Sequence, residues 1–382
     1  MNRAVAGGLS QAEEEALLGG LAEFSVEVAN RYDQWVRTGA EDQRAAAAGL
    51  SGGLLPLIER LHNHHQGRID RAQADIIAKD GNPEVLYDQP WWQLDRGFAL
   101  ATAGQLCWLQ YRHAMLNPKD KEANKARLRK AVEGFTEFVY SQDQKLRDES
   151  LLGRALAERE LGEFKEAIGD LEAILEKGNQ GTLYWPARLT LAEVKVGAGE
   201  AGAALSETGK LLSDARAAGL PIETQNQAKL LRFQALANSA GKGGSVGGEA
   251  AGLSRELSAL GPVWSKRVRE TALAAMKDPR AILGSNASSE WIAAENLASE
   301  ERFKEAIPAY EAVLKSTSTA SRENMPEAHH RLGVCYFRLG NYPEAERHFR
   351  QYLNLAPKSP LAPEAAYLRF RAAEGIYRAR AA

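Results

Sequence analysis

Apolar and polar residues alternate at helical spacing along most of the chain. Near the carboxyl end, "EAHHRLGVCYFRL" places Leu332, Val334 or Cys335, and Tyr336 on a helical stripe. Gly340 interrupts it, and the N-Y-P-E run predicts a new helix with Asn341 or Tyr342 near its cap and Pro343 in its first turn. "EAERHFRQYLNL" then supplies Ala345, Phe349, Tyr352 and Leu353, and Pro357 closes the stripe. Two short helices joined by a tight turn form a hairpin that cannot bury its apolar face alone, so the pattern calls for neighbours of the same kind.

Weaker copies lie upstream. "EWIAAENLASEERFKEAIPAYEAVL" and "LLGRALAERELGEFKEAIGDLEAIL" share the core F-K-E-A-I at Phe303–Ile307 and Phe164–Ile168. Ala131, Ala167 and Ala204 fall 36 and 37 positions apart, and Ala306 and Ala345 fall 39 apart. Five hairpins are expected, at 325–358, 287–320, 148–181, 185–218 and, in part, 122–141. Some positions depart from the pattern: Arg154 and Glu158 stand where apolar residues are expected, and Lys195 and Thr208 interrupt the next copy.

Leu332-Gly333, Tyr336, Gly340, Ala345, Phe349, Tyr352 and Pro357 occupy spacing that resembles the signature of the tetratricopeptide repeat. Small Gly333 and Ala345 sit where two helices approach, and Phe349 and Tyr352 fill space between hairpins. The resemblance implies an all-α fold, a superhelical array of such hairpins. The longer spacing upstream implies turns with extra residues.

The amino-terminal third lacks this spacing. Residues 11–37 carry Leu17, Leu21, Phe24 and Val28, residues 54–78 carry Leu54, Ile58, Leu61 and Ile69, and a long apolar-rich helix is expected after Pro90. This gives an atypical helical domain or cap at 1–120. Degenerate repeats follow over 121–278 with a glycine-rich linker near 241–248, and clearer repeats with a capping helix occupy 279–382, after a break around 279–286. In the last helix Leu368, Phe370 and Ile376 are expected to cover the preceding hairpin, leaving Arg369, Arg371 and Arg378 toward water.

Composition adds few constraints. The 382 residues include 48 Lys plus Arg against 50 Asp plus Glu, a formal charge of -2 that gives no reason to expect nucleic acid. No run of 18 uncharged apolar residues occurs, so no transmembrane segment is expected. A cytoplasmic location follows if Met1 is the natural start, and a periplasmic or envelope-associated one if a targeting segment precedes it. Cys107 and Cys335 sit in apolar surroundings and read as two reduced core thiols, with a long-range disulfide as the alternative.

Candidate chemistry is sparse. His62, His64 and His65, with Asp70 or Asp75, lack metal-ligand spacing, so packing is favoured over a metal site. "GKGGSVGG" lacks the phosphate-loop spacing, "GSNASS" lacks a nucleophile elbow, and Glu158, Glu160 and Glu163 form an acidic helix end. No catalytic residue and no cofactor is expected. Trp91, Trp92 and Trp108 could line a pocket for a small apolar ligand.

In the family, the first helix of each hairpin lines a concave face that holds a peptide or partner helix. That resemblance nominates Glu327, His330, Val334, Phe337 and Arg338 on the clearest unit and Trp291, Glu295 and Ala298 on the one before. Arg331 and Arg338 could meet an acidic partner. The expected function is a non-enzymatic scaffold or adaptor for a protein or peptide partner in a larger, bacterial assembly. The alternatives are a helical-repeat enzyme or regulatory subunit, and a sensor of small apolar ligands using the amino-terminal helices.

Overall fold

Helix boundaries in the computed structural model follow the local signals in the chain. The structure describes residues 10–176, 178, 181–241, 247–275, 287–315, 319–359 and 361–381. Among them all regular structure is helical. The chain divides into two compact units, Met1–Ala198 and Gly199–Ala382.

The first unit contains α1 (Gln11–Thr38), α2 (Glu41–Ile77), a 3₁₀ turn at Pro83–Leu86, α3 (Pro90–Leu116), α4 (Lys121–Phe138), α5 (Gln144–Leu161), α6 (Phe164–Leu175) and α7 (Tyr184–Gly197). Ser10 caps α1 reciprocally with Glu13, and Asp143 caps α5 by accepting from the Lys145 and Leu146 amides. Gly162 ends α5 with φ of 81°, a left-handed conformation that only glycine adopts without strain. Each helix packs on its chain neighbour, and α3 also packs on α1 and α5, and α5 on α7. The odd-numbered helices therefore form one layer, and the short connections make successive helices antiparallel.

The second unit contains α8 (Ala201–Ala217), α9 (Ile222–Gly241), α10 (Gly247–Ser258), α11 (Pro262–Ala275), α12 (Ala287–Ser299), α13 (Phe303–Lys315), α14 (Thr319–Arg338), α15 (Tyr342–Leu355) and α16 (Ala362–Ala381). Hairpins α12/α13 and α14/α15 are joined by α12–α14 and α14–α16 contacts, again a layer of alternate helices. Phe349, Tyr352 and Ala345 are buried between α15 and its neighbours. Gly333 is required there, because a Cβ would sit 2.8 Å from the Phe349 ring. The expected start of α15 is met: Asn341 is the N-cap and a proline lies in the first turn.

Several expectations need correction or relocation. The unit boundary falls between α7 and α8, inside the stretch 185–218 expected to be one hairpin, and α8 packs on α9. Gly247 and Gly248 begin α10, and residues 242–246 of the glycine-rich stretch lie outside the described ones. The break at 279–286 also lies outside them. Phe370 does not cover the last hairpin: it is 67% exposed. The buried side of α16 is instead the small stripe of Ala365 and Ala372, with Gly375 against the Tyr342 ring. Small residues let the helices approach closely, which turns Phe370 outward, and Arg369 pairs with Glu346 at 2.8 Å.

The departures in α5 have a structural partner. Arg154 donates two hydrogen bonds to Asp170 on α6, at 2.7 and 2.6 Å, and lies 3.8 Å from Glu158. A bidentate charge pair thus replaces apolar contact inside this hairpin. Thr208 is accommodated by donating to the Ala204 carbonyl at 2.6 Å.

Candidate partner-binding surfaces

The residues nominated on the carboxyl-terminal hairpins separate into three groups. Trp291 and His330 are each 3% exposed and belong to the packing. Trp291 meets Tyr310 edge-on at 5.6 Å and carries the Arg269 guanidinium 5.2 Å above its ring. His330 lies against Phe349 and Tyr352, and burial lowers its pKa, which favours the neutral ring. Glu295 and Glu327 are drawn into a network across α11, α12, α13 and α14. Tyr310 donates to Glu295 at 2.5 Å, Arg331 lies 3.1 Å from Glu295, and Arg269 lies 4.0 Å from Glu327.

Val334 and Phe337 are half-buried, with Phe337 edge-on to Tyr342 at 5.6 Å. Arg338 is exposed. The accessible remainder of this face is therefore Glu327, part of Phe337, and Arg338. The helix-packing contacts of α12 and α14 cover the rest.

A larger concavity lies in the first unit. A groove of about 860 Å³ runs between α1, α3 and the α4–α5 turn. Val26 projects on its flank, Leu100 on its floor is 45% exposed, and Tyr140 stands 85% exposed at the turn. Ser25 on α1 donates to Gln105 on α3 at 3.2 Å and fixes the two helices side by side. Trp108 packs edge-on against Phe135 at 5.1 Å and forms the inner wall.

The floor of this groove is a ladder on α3: Arg96, Leu100, Gly104, Trp108 and Arg112. Four residues overshoot a turn by about 40°, so the ladder winds obliquely across the helix. A Cβ at Gly104 would meet no atom within 4 Å, which leaves the floor open. Arg96 lies 5.1 Å over the Trp92 ring and Arg112 lies 5.0 Å over the Trp108 ring. Burial lowers the Arg112 pKa, and Asp33 opposes that with a weaker pull. Among the described residues neither guanidinium has a carboxylate within salt-bridge distance. The facing wall carries Glu137 and Glu149, the latter 3.9 Å from Lys145.

Trp91, Trp92 and Trp108 are not brought together. Trp92 and Trp91 pack with Ile69 and Leu86, while Trp108 joins a separate cluster with Phe135. The histidine-rich stretch is used in packing: His65 bonds Asp95 at 2.7 Å and stacks on Phe98, and His62 bonds the Ala99 carbonyl at 3.1 Å. Among the described residues no group of three or more His, Cys, Asp or Glu is placed to hold a metal. Cys107 and Cys335 are free and buried, and burial pushes their thiols up to about 12 and about 11. No described helix is long and apolar enough to cross a membrane.

The tight hairpin of α14 and α15, with Gly333 under Phe349, is also where a family pattern applies. The tetratricopeptide repeat pattern matches residues 326–359. The chain contains a tetratricopeptide repeat. Among solved structures it is similar to the crystal structure of a signal transduction ATPase with numerous domains (STAND) protein with a tetratricopeptide repeat sensor from Pyrococcus horikoshii. That similarity is 15% in identity over 91% of this chain and 53% of the other, with a TM-score of 0.35. The chain spans about half the length of that protein. Comparison with curated proteins found no match.

Tetratricopeptide repeats are generally used for protein–protein contacts, through faces that stacked helices leave exposed. The repeat pattern does not extend to α3, and reasoning from it missed Arg96, Leu100, Gly104 and Arg112. A signal was present: Trp92 and Arg96 stand four apart, and so do Trp108 and Arg112. In a helix that spacing puts each guanidinium over an indole.

Proposed function

We propose that this protein is a non-enzymatic adaptor that holds a segment of a partner protein as part of a larger assembly. The observation that carries the proposal is the open, apolar groove of about 860 Å³ along α1, α3 and the α4–α5 turn. Its size lies within the range of ligand sites, and it opens along a helix layer, as a polypeptide requires. The carboxyl-terminal face, with Glu327, Phe337 and Arg338, is proposed as a second, smaller contact.

The test is binding of a random twelve-residue peptide library to the full chain. Binders that lose affinity in Gly104→Leu, which fills the floor, support the groove as the site. Binders that lose affinity only in Phe337→Ala with Arg338→Ala would move the site to the repeat. A chain that binds no peptide but retains a small apolar molecule in native mass spectrometry would replace the adaptor with a sensor.

A further inference from the structure

We propose that the groove of the first unit recognises an apolar protein segment bracketed by carboxylates, which Arg96 and Arg112 receive at its two ends. This rests on the adaptor function and names the partner's chemistry. The two arginines are separated by four rungs of the α3 ladder, about 24 Å along the helix axis and about 160° around it, and both line the groove. Between them lie Leu100, Gly104 and Trp108, which offer apolar surface and an open floor.

Each guanidinium lies over the indole one turn before it, Arg96 at 5.1 Å from the Trp92 ring centre and Arg112 at 5.0 Å from that of Trp108. A guanidinium receives a carboxylate through its N–H edge, with two parallel hydrogen bonds. Elsewhere in the same unit arginines already have such partners: Arg154 has Asp170, and Arg68 lies 3.1 Å from Asp95. Arg96 and Arg112 have none among the described residues. Arg112 is only partly exposed, and Asp33 attracts it without coming within salt-bridge distance.

Charge also orients the segment. The α4–α5 wall carries Glu137 and Glu149, so carboxylates on the wrong side of the segment are repelled. The expected occupant turns its acids toward α3 and its apolar side chains onto Leu100 and Trp108. An extended chain covers the axial part of the arginine separation in about seven residues while it crosses α3 obliquely.

The peptide library bound to the full chain tests this directly. Enriched sequences should carry Asp or Glu on both sides of an apolar stretch. Affinity for an enriched peptide should fall roughly tenfold in Arg96→Gln and again in Arg112→Gln, as for the loss of one charge-assisted contact each. Arg96 is exposed, so its variant keeps the test open even if Arg112→Gln disturbs folding, and circular dichroism checks helicity in both. Enriched peptides without acidic bias that still lose binding in Gly104→Leu would overturn the carboxylate inference and leave the adaptor standing. Failure to enrich any peptide, or binding indifferent to Gly104→Leu, would overturn both.

Discussion

The tetratricopeptide repeat and helix α3 use small residues for opposite ends. In the repeat, Gly333 is filled to contact by the Phe349 ring, and on the following helix α16 Gly375 meets the repeat's Tyr342 ring in the same way. In α3, Gly104 meets nothing, and the space above it is the groove. A glycine inside a helix costs about 0.5–1 kcal/mol relative to alanine. In the repeat that cost is offset by close packing. In α3 no atom lies within 4 Å of a Cβ at Gly104, so close packing does not offset it there. Composition alone does not separate the two cases, and the contacts do.

Stability measurements should separate them widely. Phe349→Ala removes a fully buried ring from the repeat and should destabilise the second unit by about 3–5 kcal/mol. Gly333→Ala forces a methyl into the same ring and should cost about 1–3 kcal/mol. Gly104→Ala should instead be neutral or stabilise the first unit by up to about 1 kcal/mol. Denaturant unfolding of the three variants checks the order, and a Gly104→Ala penalty as large as that of Gly333→Ala would remove the distinction.

The two regions should also respond oppositely to acid. Burial first, then Asp170, raises the Glu158 carboxyl from its ordinary 4.5 to about 7, with Arg154 opposing. The folded state thus holds that proton more tightly than the unfolded chain. The first unit gains stability as pH falls from 7 toward 4.5 and loses the gain as pH rises through that window. In the repeat, burial first, then Arg347 and His329, pushes His348 from 6.5 down to about 4. Its contribution is complete above 6.5 and is lost as pH falls toward 4.

Reagents that label Cys107 and Cys335 report each unit separately, because both thiols are buried until their unit opens. Glu158→Gln should protect Cys107 at pH 7 and matter little at pH 4.5. His348→Asn should reduce the acid-induced labelling of Cys335. Equal changes at both thiols would contradict these assignments.

The repeat was legible because each of its signature residues acts through packing that its spacing already implies. Gly340, Asn341 and Pro343 mark the turn, and Gly333, Ala345 and Phe349 mark the approach of the helices. What was not legible depended on rotation and on partners distant in the chain. Phe370 faces outward because Ala365 and Ala372 pack more closely than Phe370 could. Arg154 became intelligible only with Asp170, from the next helix, beside it. Trp291 and His330 lie between signature positions, yet the crossing of α12 and α14 and the ring of Phe349 cover them. The α3 ladder obeys plain helical spacing, but its openness depends on where α1 and the α4–α5 turn stand.

Site-specific photo-crosslinking puts the central claim to its most direct test. A photoreactive phenylalanine analogue is placed at position 100, on the groove floor, or at position 338, on the repeat, and each full chain is mixed with an enriched peptide. The groove assignment predicts a peptide adduct from position 100 that Gly104→Leu abolishes, with little from position 338. Adducts from position 338 alone would contradict it.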